Sequence, residues 1–91
     1  MTPQVRRRDR DYEAALEGST AGHLEFERDG DVVTLTHTIV DPAFEGRGVA
    51  GALARFALDD IRAQGLQVRP ECPYVRSWIG KHPDYQDLVA A

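Results

Sequence analysis

Two stretches of this chain put chemistry-bearing residue types at spacings that matter. The first is Gly46-Arg-Gly48-Val-Ala-Gly51, which opens a helical pattern a few residues after a β-branched run. A strand, a glycine-rich loop and a helix start would aim unpaired N–H groups and the positive end of a helix dipole at one spot. Such a spot takes an anion, above all a phosphate. Glycines let that anion approach the backbone closely. The same pattern also makes a tight turn into a buried helix with no ligand, and the loop alone does not separate the two. The second stretch is Cys72-Pro73-Tyr74. It places a thiol at a helix start, where thiolates are favoured, although a free cysteine is often just a small buried hydrophobe. His37 lies on the strand leading into the glycine loop and reads either as a general base or as a hydrogen-bonded core histidine. His23, His37 and His82 lack metal-ligand spacing, so no metal is expected.

The elements that must hold these residues follow from periodicity. Residues 11–16 alternate, with Tyr12, Ala14 and Leu16 on one side, and Glu17-Gly18-Ser19 ends the run. Residues 23–28 alternate again, Leu24 and Phe26 opposing His23, Glu25 and Glu27. Asp29-Gly30 between alternating runs predicts a two-residue hairpin. Residues 31–40 form the longest strand candidate, with Val33, Leu35, His37 and Ile39 sharing one face. Asp41-Pro42 stops that ladder. A helix is predicted over residues 47–64, with Val49, Leu53, Ala57 and Ile61 at helical spacing, Phe56 beside them and Gly65 as its terminator. A short parallel strand at 66–69 follows, then a second helix from Pro73 to Gly80 with Tyr74, Val75, Trp78 and Ile79 on its apolar side. The tail would form one more turn that packs Tyr85 and Leu88. The order β-β-β-α-β-α describes a compact α+β domain over residues 11–91 with a mixed sheet. The antiparallel-to-crossover switch at residues 40–46 falls where open sheets favour ligands, beside the same glycines.

Composition narrows the partners. Ninety-one residues suffice for one domain, and residues 1–10, with Arg6, Arg7, Arg8 and Arg10, read as a flexible, solvated arm. A net charge of −4 argues against nucleic acid as the main partner. No apolar run approaches a membrane span and the first ten residues lack a signal-peptide core, so no membrane partner is expected. A single cysteine excludes an internal disulfide and fits a reducing, cytoplasmic setting.

The glycines match G-x-G-x-x-G, and Glu71 lies about 20 residues on, as in a dinucleotide fold. Against that reading, residues 41–45 separate the strand from the first glycine, and antiparallel strands come first. The run from His37 to Leu53, taken with Cys72-Pro-Tyr-Val-Arg-Ser-Trp-Ile-Gly-Lys-His-Pro-Asp-Tyr85, instead resembles the small single-module branch of the GNAT acyltransferases. In that superfamily a Gln/Arg-x-x-Gly-x-Gly/Ala loop binds acetyl-CoA. Here it is Glu45-Gly46-Arg47-Gly48-Val49-Ala50, with Glu45 departing from the pattern.

The resemblance implies a GNAT-like fold and transfer of acetyl from acetyl-CoA, as co-substrate, to an amine on a protein lysine, a peptide or a small molecule. Gly46, Gly48, Val49, Ala50 and Gly51 would hold the pyrophosphate through their N–H groups, with Arg47 adding charge. Exposed backbone near Ile39 and Val40 would pair with the pantetheine arm. Cys72 would sit near the thioester as nucleophile or lining, His37 is the candidate base, and Tyr74 is the candidate acid for the leaving thiolate. So short a chain leaves the acceptor side open or leaves it to a partner in a homodimer. A CoA-binding module without catalysis and a plain interaction domain are the alternatives.

Overall fold

A computed structural model describes residues 2–90 of the chain. Strands β1 (Gln4–Arg7), β2 (Asp11–Leu16), β3 (Ser19–Asp29), β4 (Val32–Val40) and β5 (Gln67–Pro70) form one sheet in the order β1-β2-β3-β4-β5. The first four are antiparallel neighbours, and β5 joins β4 in parallel after the crossover helix α1 (Val49–Ala63). Helix α2 (Pro73–Gly80) and a 3-10 segment, Pro83–Leu88, complete the chain. The α+β class and mixed sheet are as the sequence implies, with one more strand than the expected β-β-β-α-β-α order.

That strand corrects the reading of residues 1–10 as a solvated arm. β1 pairs in register from Gln4↔Ala15 to Arg7↔Tyr12. Val5 is the one apolar side chain it offers the core, and its arginines each meet a carboxylate: Arg6 with Glu13 at 3.0 Å and Arg7 with Asp60 of α1 at 2.9 Å. Charge density suggested a free terminus, whereas its arginines find carboxylates on the adjacent strand and, 53 positions away, on α1.

Turn chemistry sets the register elsewhere. Glu17 and Gly18 both have positive φ, 54° and 79°, which makes the β2–β3 connection a two-residue turn whose twist matches its strands. The β3–β4 hairpin closes on Asp29↔Val32, so its central pair is Gly30-Asp31, one residue later than the Asp29-Gly30 of the sequence reading.

Helix α1 lies across all five strands. Val49, Leu53, Ala57 and Ile61 are buried as expected, joined by Ala54 and Leu58, while Phe56 stays partly exposed at the flank. Gly65 at φ 72° ends the helix: its N–H reaches the Arg62 carbonyl at 3.0 Å, and the Leu66 N–H reaches that of Ile61 at 3.1 Å. In α2, Val75, Trp78 and Ile79 enter the core, but Tyr74 does not share their burial. His82 stacks on Trp78 with ring centroids 3.7 Å apart, and Tyr85 and Leu88 are buried, so the tail packs as expected.

Candidate functional site

The site begins where β4 and β5 part. β4 stays paired with β3 to its last residue, but its pairing with β5 ends at Leu35↔Pro70. The N–H groups of Glu71 and Cys72 then both turn to the Leu35 carbonyl, at 3.1 and 2.9 Å, and the chain leaves the sheet to start α2. Among the described residues no strand lies against the edge of β4 at residues 36–40 on the side facing away from β3. Such an edge can pair with an extended ligand.

A bulge in β4 decides what faces the opening. Glu25 of β3 opposes His37 and Phe26 opposes Leu35, leaving Thr36 without a partner. The Thr36 hydroxyl donates to the Glu25 carbonyl at 3.2 Å. One extra residue reverses the alternation of side chains beyond it. Val33 and Leu35 therefore face the helices, as do Thr38 and Val40, while His37 and Ile39 turn to the opposite face. This corrects the grouping of His37 and Ile39 with Val33 and Leu35, and it removes His37 from the core. The His37 side chain is 73% exposed, 3.6 Å from Glu25, whose other oxygen lies 3.5 Å from His23.

On the helix side, Cys72 is the N-cap residue of α2 and is buried, at 3% exposure. Its Sγ lies 3.1 Å from the Thr38 hydroxyl. Tyr74, 40% exposed, turns toward the first turn of α1, where an added Cβ at Gly51 would stand 3.6 Å from the phenol oxygen. Partial burial, and secondarily the nearby Cys72, push the Tyr74 phenol above its ordinary value, so it holds its proton.

The glycine loop closes the far end. Asp41 caps the 3-10 turn Pro42–Phe44 by accepting from the Ala43 N–H at 2.9 Å. Gly46 and Gly48 then adopt φ of 76° and 79°, a conformation that side chains resist. Gly48 caps α1 without any side-chain hydrogen bond. Among the described residues, no backbone or side-chain acceptor meets the N–H groups of Gly46, Gly48, Val49, Ala50 or Gly51. They open on a cleft of about 300 Å³, lined also by Val40, Phe44, Glu45 and Tyr74. Arg47 points elsewhere, 3.5 Å from Glu17 in the β2–β3 turn.

The structure thus gathers Val40, Gly46, Gly48, Val49, Ala50, Gly51, Tyr74 and Cys72 on the helix side, and sets His37 and Ile39 on the reverse face of the same strand. Sequence reasoning did not single out Thr36, Thr38 or Glu25. The run Thr34-Leu-Thr36-His-Thr38 carries threonine at every second position, so alternation alone hides the extra residue. Among the described residues no group of three His, Cys, Asp or Glu side chains is arranged to hold a metal.

Strand, glycine loop and helix in this arrangement match the model of a family described as GCN5-related N-acetyl-transferase, over residues 11–88, and the chain belongs to that family. Its fold is shared by a GCN5-like protein from Staphylococcus aureus, at 18% identity with a TM-score of 0.74, covering 97% of this chain and 88% of that one. It is shared also by the ribosomal-protein-S18-alanine N-acetyltransferase of Escherichia coli, at 21% identity and TM-score 0.62, over 70% of this chain and 43% of that one. Among curated sequences, the chain is similar to Protein NATD1 of Homo sapiens, 36% identical over 52 residues, which is 57% of this chain and 46% of that protein. The Danio rerio counterpart is 32% identical over 59 residues, 63% of this chain and 54% of that protein. The chain spans about half the length of the curated relatives it matches.

Proposed function

We propose that this chain binds acetyl-CoA in the opening between β4 and α2 and transfers its acetyl group to an amine. The observation that carries the reading is the continuity of the free β4 edge with five unpartnered N–H groups of the glycine loop. An extended amide-bearing arm would pair with the edge, and its pyrophosphate would meet the N–H groups at the start of α1. Glu45 also lines this cleft, and its carboxylate opposes a pyrophosphate unless it swings to solvent.

Transfer needs a neutral amine, a donor near the thioester oxygen and an acid for the leaving thiolate. Tyr74, held protonated beside the first turn of α1, is suited to the acid role. Cys72 lies behind it as a nucleophile for a covalent route or as lining for a direct one. His37, with Glu25 beside it, serves the amine from the reverse face of β4. A protein lysine, a peptide or a small amine is the acceptor class. The separation of His37 from Tyr74 and Cys72 across the strand favours one second reading, a CoA-binding module without turnover.

Calorimetric titration with acetyl-CoA, with NAD as control, tests the binding. Saturable binding of acetyl-CoA and none of NAD is expected. Gly48→Ala should weaken that binding at least tenfold, since a side chain resists the φ of 79° and the loop that presents the N–H groups must shift to accept it. Thiol release from acetyl-CoA with lysine peptides and polyamines as acceptors then separates an enzyme from a binding module. Equal affinity of Gly48→Ala and the parent would show that the ligand is elsewhere.

A further inference from the structure

We propose that Thr38 is a positioning residue, holding the buried Cys72 thiol against β4 where β4 and β5 part and stabilising it in both protonation states. The proposal rests on the reading of that opening as the acyl-transfer site, but its test needs no acetyl-CoA.

Thr38 would face away from Cys72 in a regular strand. Thr36 takes the place of an extra residue in β4, and only the resulting reversal turns Thr38 to the helix side. There its hydroxyl lies 3.1 Å from Cys72 Sγ, the threonine half-buried and the cysteine buried. The Cys72 backbone is fixed separately by its N–H bond to the Leu35 carbonyl, 2.9 Å long, three residues before Thr38 on the same strand. Main chain and side chain of Cys72 are thus both tied to β4, on either side of the bulge.

A hydroxyl suits this place better than a methyl. When the sulfur is protonated, the S–H can donate to the threonine oxygen; when it is a thiolate, the O–H can donate to sulfur. The contact survives ionisation by reversing direction, and the bond to a charged acceptor is the stronger of the two. No carboxylate or imidazole is hydrogen-bonded to Cys72 Sγ among the described residues, and Thr38 is the one side chain bonded to it. The thiol therefore gains its polar support from β4, and the bulge that exposes His37 on one face supplies that support on the other.

Cys72 is the only cysteine, so thiol measurements report it alone. The infrared S–H stretch of the unmodified protein should lie at the lowered frequency of a hydrogen-bonded thiol. A band at the free-thiol frequency overturns the proposal without any variant. Alkylation by iodoacetamide, followed against pH, gives the second readout, because the thiolate is the reacting form. Thr38→Val should slow alkylation at neutral pH about tenfold and leave the alkaline plateau unchanged, and Thr38→Ser should restore the parent rate. Equal neutral rates for Thr38→Val and the parent would overturn the role. So would a failure of Thr38→Ser to restore the rate. A Thr38→Val chain that opens would react faster at every pH; the decision then falls to the S–H band of the parent, which must still show the bond.

Discussion

Gly22→Ala tests whether the candidate site and the sheet are one mechanical unit. Gly22 opposes Val40 at the end of β4. A Cβ there would stand 2.7 Å from the Ile39 carbonyl oxygen, 3.1 Å from Val49 Cγ1 and 3.3 Å from Val40 Cα. Two of these three atoms are backbone of the strand that forms the free edge, and the third belongs to the first residue of α1. No flexible side-chain tip can yield, so either β4 shifts away from β3 or α1 lifts at its N-terminus. Overpacking of this kind costs about 1–3 kcal/mol. The entropy that alanine removes from the unfolded chain offsets about 0.4–1 kcal/mol of it. A net loss of about 1–2 kcal/mol corresponds to a fall in Tm of roughly 4–16 °C for a domain of this size. Thermal melts followed by circular dichroism measure it. Gly80→Ala is the matched control: a Cβ there meets nothing within 4 Å and its backbone is not left-handed, so it should gain about 0.4–1 kcal/mol. Below its melting range, Gly22→Ala should also bind acetyl-CoA more weakly than Gly80→Ala. A Gly22→Ala protein that melts at or above the parent would refute the reasoning.

Three further outcomes are expected. Tyr74→Phe should lower the rate of CoA release with an amine acceptor about 10²-fold while leaving acetyl-CoA affinity within a factor of about two, because general-acid contributions are of that order and the ring remains; a drop in affinity with unchanged turnover would remove Tyr74 as the acid. The buried Tyr12 phenol donates to Asp60 at 2.8 Å, and burial followed by that bond raises it above its ordinary value. A raised group stabilises fully below its unfolded value near 10 and loses that contribution as the pH climbs toward the folded value. The parent should therefore lose stability above about pH 10, whereas Tyr12→Phe, weaker by about 1–2 kcal/mol at neutral pH, should show a flatter alkaline limb in urea melts. At the acid end, Arg8 holds Asp11 and Arg62 holds Asp87 below the ordinary carboxylate range. Their contribution is present above about pH 4 and fades as the pH falls through the lowered values. Both pairs lie near solvent, so the fall in Tm between about pH 4 and 2 should shrink at high salt.

Most of the fold was legible because its elements obey local rules. Tyr12, Ala14 and Leu16 alternate into the core, and Val49, Leu53, Ala57 and Ile61 form one helical stripe. Gly65 ends its helix as a left-handed terminator must. β1 was not legible, because its stability lies in pairs such as Arg7 with Asp60, which are 53 positions apart and join one strand to a helix on the sheet. A run of arginines looks solvated until its carboxylates are in place. Tyr74 misled in another way. It shares helical spacing with Val75 and Trp78, but it sits in the first turn of α2, where Gly51 leaves a gap beside it.

The site was legible where it depends on backbone freedom and illegible where it depends on register. Gly46 and Gly48 mark positive-φ positions that only the sequence of glycines needs to reveal. The bulge at Thr36 has no such marker, since threonine suits either side of a half-buried strand. Its consequence reaches every residue downstream. A regular β4 would place His37 beside Leu35 under α1 and carry Thr38 away from Cys72. The bulge instead sends His37 to the open sheet face with Glu25 and turns Thr38 to the helix side beside the buried Cys72, the side on which Tyr74 lines the cleft. Under the proposed function, a donor arm along the β4 edge and an amine arriving from the open face would approach residues 37–38 from opposite sides. Deleting Thr36 tests that division directly. With the extra residue gone the strand alternates regularly from Leu35, so His37 should keep its exposed place beside Glu25 and Thr38 its place beside Cys72, read as unchanged nuclear Overhauser contacts of the His37 ring. A His37 ring that moves into contact with α1 would mean that Thr36 is not the residue the bulge absorbs.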